Sequence, residues 1–300
     1  MLQIIPKTNF DFIGKRYVFF AISAAVILAG IASLVIKKGP KWGLDFTGGT
    51  LVEVRFQQSP SLDDLRKSLA STLGSFELQS VSGQNVVIIR TRLAEGQAQD
   101  HGQMILQTLT QTFPNQEITI LRKEFVGPTV GRHLIRQTSW AFLLTFLGII
   151  VYVAFRFHSG VWGAAGVIAI IHDVLATIGI FSILDKDITV TIVAALLTIA
   201  GYSINDTIVV FDFMRERLRL RRSESIGEMI NHSVNATLSR TIITNLTVFM
   251  VVLTLYFFGG EVIHDFAFAM VFGAIVGTYS SIAVAAPIIF EWERIRSAKK

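Results

Sequence analysis

Cysteine is absent from the 300-residue sequence, and only 16% of its residues are charged. The lack of cysteine excludes disulfide bonds and thiolate metal ligands. The low charge occurs together with 51% hydrophobic residues, a composition too apolar for a soluble domain of this length. We therefore expect an α-helical protein that crosses a membrane several times.

Six apolar runs are long enough to cross a bilayer as helices, at about 20 residues per span. No small-residue cleavage site follows the first run, so we interpret it as a span and not as a removable signal peptide. This pattern predicts an N-terminus and first span in residues 1–38, a soluble domain in 39–132 and five further spans in 133–300. The six predicted spans are 17–36, 139–155, 161–184, 188–211, 241–258 and 266–290.

The basic residues predict how the chain is oriented. Most of them adjoin the predicted termini and the connections on one side, which the positive-inside rule places in the cytoplasm. Lys37, Lys38 and Lys41 oppose the rule, but they adjoin a long segment where it is weak. The net charge of +5 is modest, so we expect no nucleic-acid binding. The residues that carry this prediction are Lys7, Lys15, Arg16, Arg156, Arg215, Arg217, Arg219, Arg221, Arg222, Arg294, Arg296, Lys299 and Lys300.

The segment 39–132 is the expected outer domain. Its strand and helix patterns follow the order β-α-β-β-α-β, which is typical of a ferredoxin-like domain with both helices on one face of the sheet. His101 is its one histidine and no catalytic cluster occurs, so we expect a binding or coupling module. The predicted strands are 50–56, 77–81, 85–92 and 118–126, and the predicted helices are 61–73 and 97–112.

Three local signals refine that domain. Ser61 is placed to cap the first helix, and Ser82-Gly83-Gln84 is a candidate hairpin turn. Met104, Ile105 and Leu109 are spaced to form the buried stripe of the second helix.

The connection 214–239 between the fourth and fifth spans is rich in arginine and then amphipathic. Ser225 and Glu228 have the spacing of a capping box. We expect a cytoplasmic amphipathic loop whose helix lies at the inner interface and leads into the fifth span.

Asp206 is the anomaly of the fourth span. A carboxylate at membrane depth costs about 2.5–3.5 kcal/mol on insertion scales, so it is rarely present without a partner or a function. Thr198, Tyr202 and Asp206 follow one another at i+4 spacing, with Asn205 beside them, which predicts a polar seam that faces the helix bundle. From the residues alone, a proton relay and a polar contact between helices both remain open.

The third span contains a second carboxylate, Asp173, next to His172. For Asp173 a role in proton transfer and a role in packing are both open. His172 is expected to pack, because neighbours at i+1 point to different sides of a helix. No metal-spaced cluster or phosphate-binding loop occurs, so no cofactor is expected.

Several strings resemble the SecD/SecF family of protein-export membrane subunits, and its SecF branch in particular. Residues 42–50 read WGLDFTGGT, 201–212 read GYSINDTIVVFD and 235–245 read NATLSRTIITN, and the His-Asp pair in the third span also matches. The two consecutive glycines are expected to form a tight turn where the first strand begins. The motif residues at this domain entry are Gly43, Asp45, Phe46, Gly48 and Gly49.

The resemblance implies half of a resistance-nodulation-division (RND) fold and a function in protein export. It implies a SecD-like partner that completes a pseudo-symmetric twelve-helix unit, beside the SecYEG channel and a translocating preprotein in the bacterial inner membrane. It also implies use of the proton-motive force, with the family's membrane carboxylate at Asp206 and its arginine at Arg240. We assign Asp206, Arg240 and Asp173 to the expected proton relay, and expect no enzymatic activity.

Two alternative functions belong to other classes. A proton-coupled exporter of small molecules or lipids would share the membrane fold, but exporters of that type carry twice the spans and larger paired domains. An intramembrane aspartyl protease could use Asp173 and Asp206, but such enzymes need a Gly-x-Gly-Asp context, and here Ser203-Ile204-Asn205 precedes Asp206.

Overall fold

The structure, a computed structural model, describes residues 8–58, 60–73, 76–81, 84–91, 101–157, 160–220 and 224–298. It forms two compact units, Met1–Lys41 with Trp140–Lys300, and Trp42–Ser139. The predictions made for Lys7, Ser82, Gly83, Arg92, residues 97–100, Arg221, Arg222, Lys299 and Lys300 lie outside the described residues.

Ten helices, one π-helical segment and four strands make up the described chain. The helices are α1 (Arg16–Ile36), α2 (Leu44–Thr47), α3 (Leu62–Ala70), α4 (His101–Thr112), α5 (Pro128–Phe157), α6 (Gly160–Ile183), α7 (Val190–Leu220), α8 (Ile226–Phe258), α9 (Glu261–Ser280) and α10 (Ala286–Ala298), with the π-helical segment Ser281–Ala285 joining the last two. The strands are β1 (Gly49–Phe56), β2 (Phe76–Val81), β3 (Val86–Thr91) and β4 (Ile118–Val126).

Within the described residues, six helical runs are long and apolar enough to cross a membrane, which confirms the predicted number. They are α1, α5, α6, α7, α8 and the continuous run from α9 through the π-helical segment to α10. Together with the sheet between α1 and α5, they confirm the predicted fold class.

Three helices extend beyond the predicted apolar runs. Helix α7 continues to Leu220 and α8 runs unbroken from Ile226 into the fifth span, so both helices extend into the predicted connection 214–239. The capping box of Ser225 and Glu228 is confirmed at the start of α8. Helix α5 begins at Pro128, well before the apolar run. A hydropathy criterion ends each span where polar residues begin, whereas the helical backbone continues through them.

Helix α1 packs closely against α6 through two glycines. A Cβ atom at Gly30 would lie 2.8 Å from the Cα of Gly179, so both positions require glycine for this approach. One turn further on, the hydroxyls of Ser33 and Ser182 are hydrogen-bonded at 2.8 Å. Small residues thus bring the two backbones together, as in other membrane helix pairs.

Two of the three lysines that oppose the positive-inside rule have acidic partners at the α6–α7 connection. Lys37 and Lys41 lie 3.1 Å and 3.2 Å from the carboxylate of Asp185, and Lys41 lies 3.5 Å from Asp187. Hydrogen bonds from Lys37 and then Lys41 hold the pKa of Asp185 below its ordinary value. Their charges are therefore partly neutralised and carry little orientation signal.

Asp212, near the C-terminal end of α7, forms ion pairs with two arginines. Arg156 of α5 donates to its carboxylate, and Arg215 lies 3.3 Å from it. Arg215 also donates to the backbone carbonyl of Arg156 at 2.9 Å, so this cluster connects α7 with α5.

The N-terminal segment is fastened to the start of α8 by two asparagines. Asn235 accepts from the backbone N–H of Phe10 and donates to its carbonyl, at 2.9 Å and 2.8 Å. Asn231 accepts from the backbone of Ile13 and donates to the carboxylate of Asp11. The backbone N–H of Gly14 and the Asn231 amide together lower the pKa of Asp11.

The second unit is built on a four-stranded antiparallel sheet. Its strand order β2-β3-β1-β4 is that of a ferredoxin-like domain, and Ser61 caps α3, as predicted. Met104 is exposed, so only part of the predicted stripe on α4 is correct. The buried core contains Val52, Val54, Phe56, Leu65, Leu69, Leu73, Val87, Ile89, Ile105 and Leu109.

Candidate functional site: two carboxylates in the membrane helices

The glycine motif at residues 42–50 forms a one-turn helix, α2, followed by a turn that requires glycine. Gly48 and Gly49 have φ angles of 67° and 131°, which L side chains rarely adopt. Gly43 caps α2, Asp45 lies in its first turn, and Phe46 is buried against Trp42 with ring centroids 5.3 Å apart. The predicted turn before β1 is therefore present, whereas α2 was not predicted from the sequence.

Asp173 of α6 is fully buried at the centre of a polar cluster. Its Oδ2 atom accepts hydrogen bonds from the hydroxyls of Ser203 on α7 at 2.5 Å and Ser280 on α9 at 2.7 Å. One carboxylate oxygen thus joins three helices. The hydroxyl donors favour the ionised form of this carboxylate, whereas its complete burial favours the protonated form.

His172 contacts the other oxygen of Asp173, although the two residues are adjacent in the chain. Its Nδ1 lies 3.0 Å from Asp173 Oδ1, and its ring is 6.1 Å from that of Tyr279. The expectation that an i+1 neighbour points elsewhere is wrong here, because the short Asp173 side chain turns Oδ1 back toward the imidazole. Among the described residues, the buried Nε2 atom of His172 has no hydrogen-bond partner.

The polar cluster continues beside Asp173 toward the π-helical segment. The hydroxyls of Thr207 and Ser281 are 2.9 Å apart, and Ser281 donates to the carbonyl of Gly277 at 3.0 Å. Short π-helical segments inside α-helices occur often at functional sites. Here the segment begins at Ser281, directly after a donor to Asp173.

Asp206 of α7 is also buried, with 3% of its surface exposed. Unlike Asp173, its Oδ2 atom has no hydrogen-bond partner among the described residues. Two groups of α8 act on this carboxylate, the side-chain amide of Asn245 and the positive charge of Arg240. An unpartnered buried carboxylate oxygen is costly, so its presence in a membrane helix requires a physical reason.

Arg240 lies well inside α8, and its side chain is exposed in this chain. Within the described residues, no ion pair joins it to Asp206 within 4.0 Å. Arg240 therefore acts on the carboxylate through its charge. An arginine does not release its proton in a protein, so a role in switching is electrostatic.

The predicted polar seam on α7 is only partly directed inward. Tyr202 is half-buried, and its hydroxyl donates to Asn245 Oδ1. Thr198 and Asn205 are exposed in this chain, and the Thr198 hydroxyl donates to the carbonyl of Ala194 in its own helix. The sequence pattern predicted that these two side chains face the helix bundle. In the described helix packing they face outward.

The two carboxylates have separate partners. Asp173 is bound by Ser203 and Ser280, whereas the groups that act on Asp206 are Asn245 and Arg240. An aspartyl protease requires two carboxylates that share one proton, and the described residues do not place these two in that arrangement. The acidic and histidine side chains of the described residues also form no group of three that could hold a metal ion.

Five residues of this site, among them Thr207 of α7, were not predicted as site residues from the sequence. Ser203, Ser280 and Ser281 lie inside apolar runs, and Asn245 lies at the end of a motif whose other residues drew attention. Hydroxyls and amides within apolar spans are themselves a signal of interhelical contact, and that signal could have identified them.

Comparisons with known protein families match most of the chain. The model described as Protein export membrane protein SecD/SecF, C-terminal, matches residues 105–295, and the SecD/SecF GG Motif matches residues 33–60. The protein translocase subunit SecF of Endomicrobium trichonymphae is 45% identical over 300 residues, which cover all of this chain and 96% of the relative. The corresponding subunit of Calditerrivibrio nitroreducens is 39% identical and covers 98% of each chain.

Solved structures agree with these matches. The crystal structure of SecDF, a translocon-associated membrane protein from Thermus thermophilus, has a TM-score of 0.83 and 35% identity. The match covers 98% of this chain but only 40% of that SecDF chain. Since relatives well above 30% identity align over nearly their whole length, this chain belongs to the SecD/SecF family of protein-export membrane proteins.

Proposed function

We propose that this chain is the SecF-type subunit of a protein translocase, and that Asp206 takes up and releases protons to drive a step of preprotein export. The observation that carries the proposal is the Asp206 carboxylate itself, buried in a membrane helix with one oxygen unpartnered among the described residues. Burial favours the protonated form and the nearby Arg240 charge favours the ionised form. A movement of either helix therefore changes which form is stable.

The proton-motive force supplies enough energy for such a step. One charge that crosses the membrane releases about 2.3 kcal/mol per 100 mV. That energy changes an equilibrium between two conformations by a factor of tens. Asp173 is the second member of the relay in this proposal, because its hydroxyl partners on α7 and α9 connect its protonation to the packing of both helices.

A SecD-like subunit is the proposed partner. Thr198 and Asn205 expose polar side chains on a membrane helix, which is unfavourable against lipid and favourable against another helix. Six spans correspond to half of a pseudo-symmetric twelve-helix unit. The SecDF chain, of which this chain matches 40%, is long enough for both halves.

The chain works beside the SecYEG channel in the bacterial inner membrane, with both termini in the cytoplasm and the Trp42–Ser139 unit outside. That unit binds or follows the emerging preprotein, and the chain has no enzymatic activity of its own. The basic residues that adjoin the predicted cytoplasmic segments support this orientation.

Substitution of Asp206 by asparagine tests the proton step. Inner-membrane vesicles that contain Asp206→Asn should lose the component of preprotein export that depends on a proton gradient, while assembly with the partner remains. Asp265→Asn is the matched control, because it removes a carboxylate that pairs with Lys186 outside the helix core. Proton-dependent export at the wild-type rate in Asp206→Asn would refute the proposed step.

Purification of the complex tests the partner. A SecD-like polypeptide in equal amount should accompany this chain from mild detergent extracts. Replacement of Thr198 and Asn205 by leucine, which leaves the helix apolar, should weaken that association. Recovery of the chain alone from extracts that retain other membrane complexes would contradict the twelve-helix unit.

A further inference from the structure

The side chain of Asn245 on α8 is hydrogen-bonded to Tyr202 on α7. Its Oδ1 atom accepts a hydrogen bond from the Tyr202 hydroxyl. The same hydroxyl oxygen lies 3.4 Å from the backbone carbonyl oxygen of Thr244. The side chain of Asn245 is 6% exposed, and its Nδ2 atom has no hydrogen-bond partner among the described residues. The buried amide is therefore satisfied at one end only.

The hydrogen bond from Tyr202 decides which end of the amide is free. An asparagine amide has one acceptor end and one donor end. Since the acceptor end is bound to the Tyr202 hydroxyl, the donor end remains. Two other buried atoms near it have no hydrogen-bond partner among the described residues, Asp206 Oδ2 on α7 and Thr241 Oγ1 on α8. Of these two, only the oxygen of an ionised carboxylate is purely an acceptor. The Asn245 side chain is one of the two groups that act on the Asp206 carboxylate.

We infer that Asn245 is a positioning residue for the proton step: oriented by Tyr202, its amide donates to ionised Asp206 and holds that carboxylate ready to accept a proton. This inference rests on the proposed function of Asp206 and adds a residue to it. The charged and titratable groups that face Asp206 among the described residues are Arg240 from α8 and Tyr202 from its own helix. Asn245 differs from both because it supplies a directed donor without a charge.

A purely structural role for Asn245 makes a different prediction. Amides that only join two membrane helices contribute about 0.6 kcal/mol each, and their loss alters stability or assembly. Such a role does not alter the protonation of a neighbouring carboxylate. The protonation state of Asp206 is therefore the quantity to measure.

The experiment is an infrared pH titration of the purified, full-length chain in lipid nanodiscs. The carboxyl band of protonated Asp206 is identified as the band that disappears in Asp206→Asn. Asn245→Leu should raise the ratio of protonated to ionised Asp206 at a given pH about tenfold, since the ionised form loses one charge-assisted hydrogen bond. Leucine fits this position because Asn245 borders a groove with Leu238, Ile242 and Leu246.

Tyr202→Phe provides the second variant and Thr254→Val the control. Tyr202→Phe should also raise the ratio of protonated to ionised Asp206, but by less than Asn245→Leu does. In the double variant Tyr202→Phe should add little to the effect of Asn245→Leu, because Tyr202 acts on Asp206 through the Asn245 amide. Thr254→Val removes an exposed hydroxyl of α8 that bonds only its own helix and should leave the band unchanged.

The titration distinguishes this inference from the proposed function. Superimposable titrations of folded Asn245→Leu and wild-type protein would overturn the role of Asn245 even if Asp206→Asn abolishes export. A full additive effect of Tyr202→Phe in the double variant would overturn the orienting role of Tyr202. If export proves independent of Asp206, the proposed function fails, whereas a shifted titration would still establish the contact between Asn245 and Asp206.

Discussion

Replacing Asp173 by asparagine and by alanine separates its two possible roles, packing and proton transfer. The carboxylate is fully buried, and its Oδ2 atom accepts from Ser203 and Ser280 on two other helices. An asparagine has almost the same shape, and its amide oxygen can accept both hydroxyls. It cannot ionise. An alanine removes both the acceptor and the volume.

The size of each effect follows from these contacts. Interhelical hydrogen bonds in membranes are worth about 0.6 kcal/mol on average and about 1.7 kcal/mol at most. Loss of two such bonds in Asp173→Ala should therefore lower the free energy of unfolding by about 1–3 kcal/mol. Ser280 recovers part of this loss, because the carbonyl of Gly277 lies 3.2 Å from its hydroxyl. Asp173→Asn should stay within about 1 kcal/mol of wild type.

Two assays on the same variants then decide the role. Unfolding by a denaturing detergent, followed by circular dichroism, measures stability, and export by inner-membrane vesicles under a proton gradient measures function. We expect Asp173→Asn to be nearly as stable as wild type and to lose proton-dependent export. Stable Asp173→Asn protein with wild-type export would refute the relay role and leave Asp173 as a packing residue.

Three further predictions concern other parts of the chain. Arg240→Lys should retain the positive charge near Asp206 but reduce proton-dependent export, because the planar guanidinium is lost; equal rates would show that any cation suffices. Gly30→Ala should destabilise the membrane unit by about 1–3 kcal/mol, since its Cβ would meet the Gly179 backbone, whereas Gly148→Ala, in open space, should not. The lysine partners of Asp185 stabilise the fold fully above pH 3.8, and this contribution is lost as the pH falls through the lowered pKa of Asp185. Asp185→Asn should therefore reduce the fall in the free energy of unfolding at acid pH, by at most about 1 kcal/mol because the carboxylate is 61% exposed. An unchanged dependence of the free energy of unfolding on acid pH would contradict this prediction.

The fold was largely predictable because its signals are local. Apolar runs identify membrane helices by length, and the alternation of apolar residues identifies the four strands. Ser225 begins α8 as its capping box indicated, and Gly48 and Gly49 adopt the positive φ angles that only glycine accepts easily. Each of these features depends on a few neighbouring residues in the chain.

The site was less predictable because it depends on which helix faces lie together. Periodicity placed Thr198 on the same stripe as Asp206, but it could not tell that the stripe turns away from the other helices of this chain at Thr198. Ser203 and Ser280 are 77 positions apart and meet only through Asp173. Such contacts follow from helix packing and leave no regular spacing in the sequence.

The most direct test is the proton flux through the purified complex in liposomes that contain a pH-sensitive dye. With an imposed membrane potential and a translocating preprotein, wild-type protein should carry protons inward, and Asp206→Asn should not, while Asp265→Asn should match wild type. A proton flux in Asp206→Asn equal to that of wild type would contradict the account.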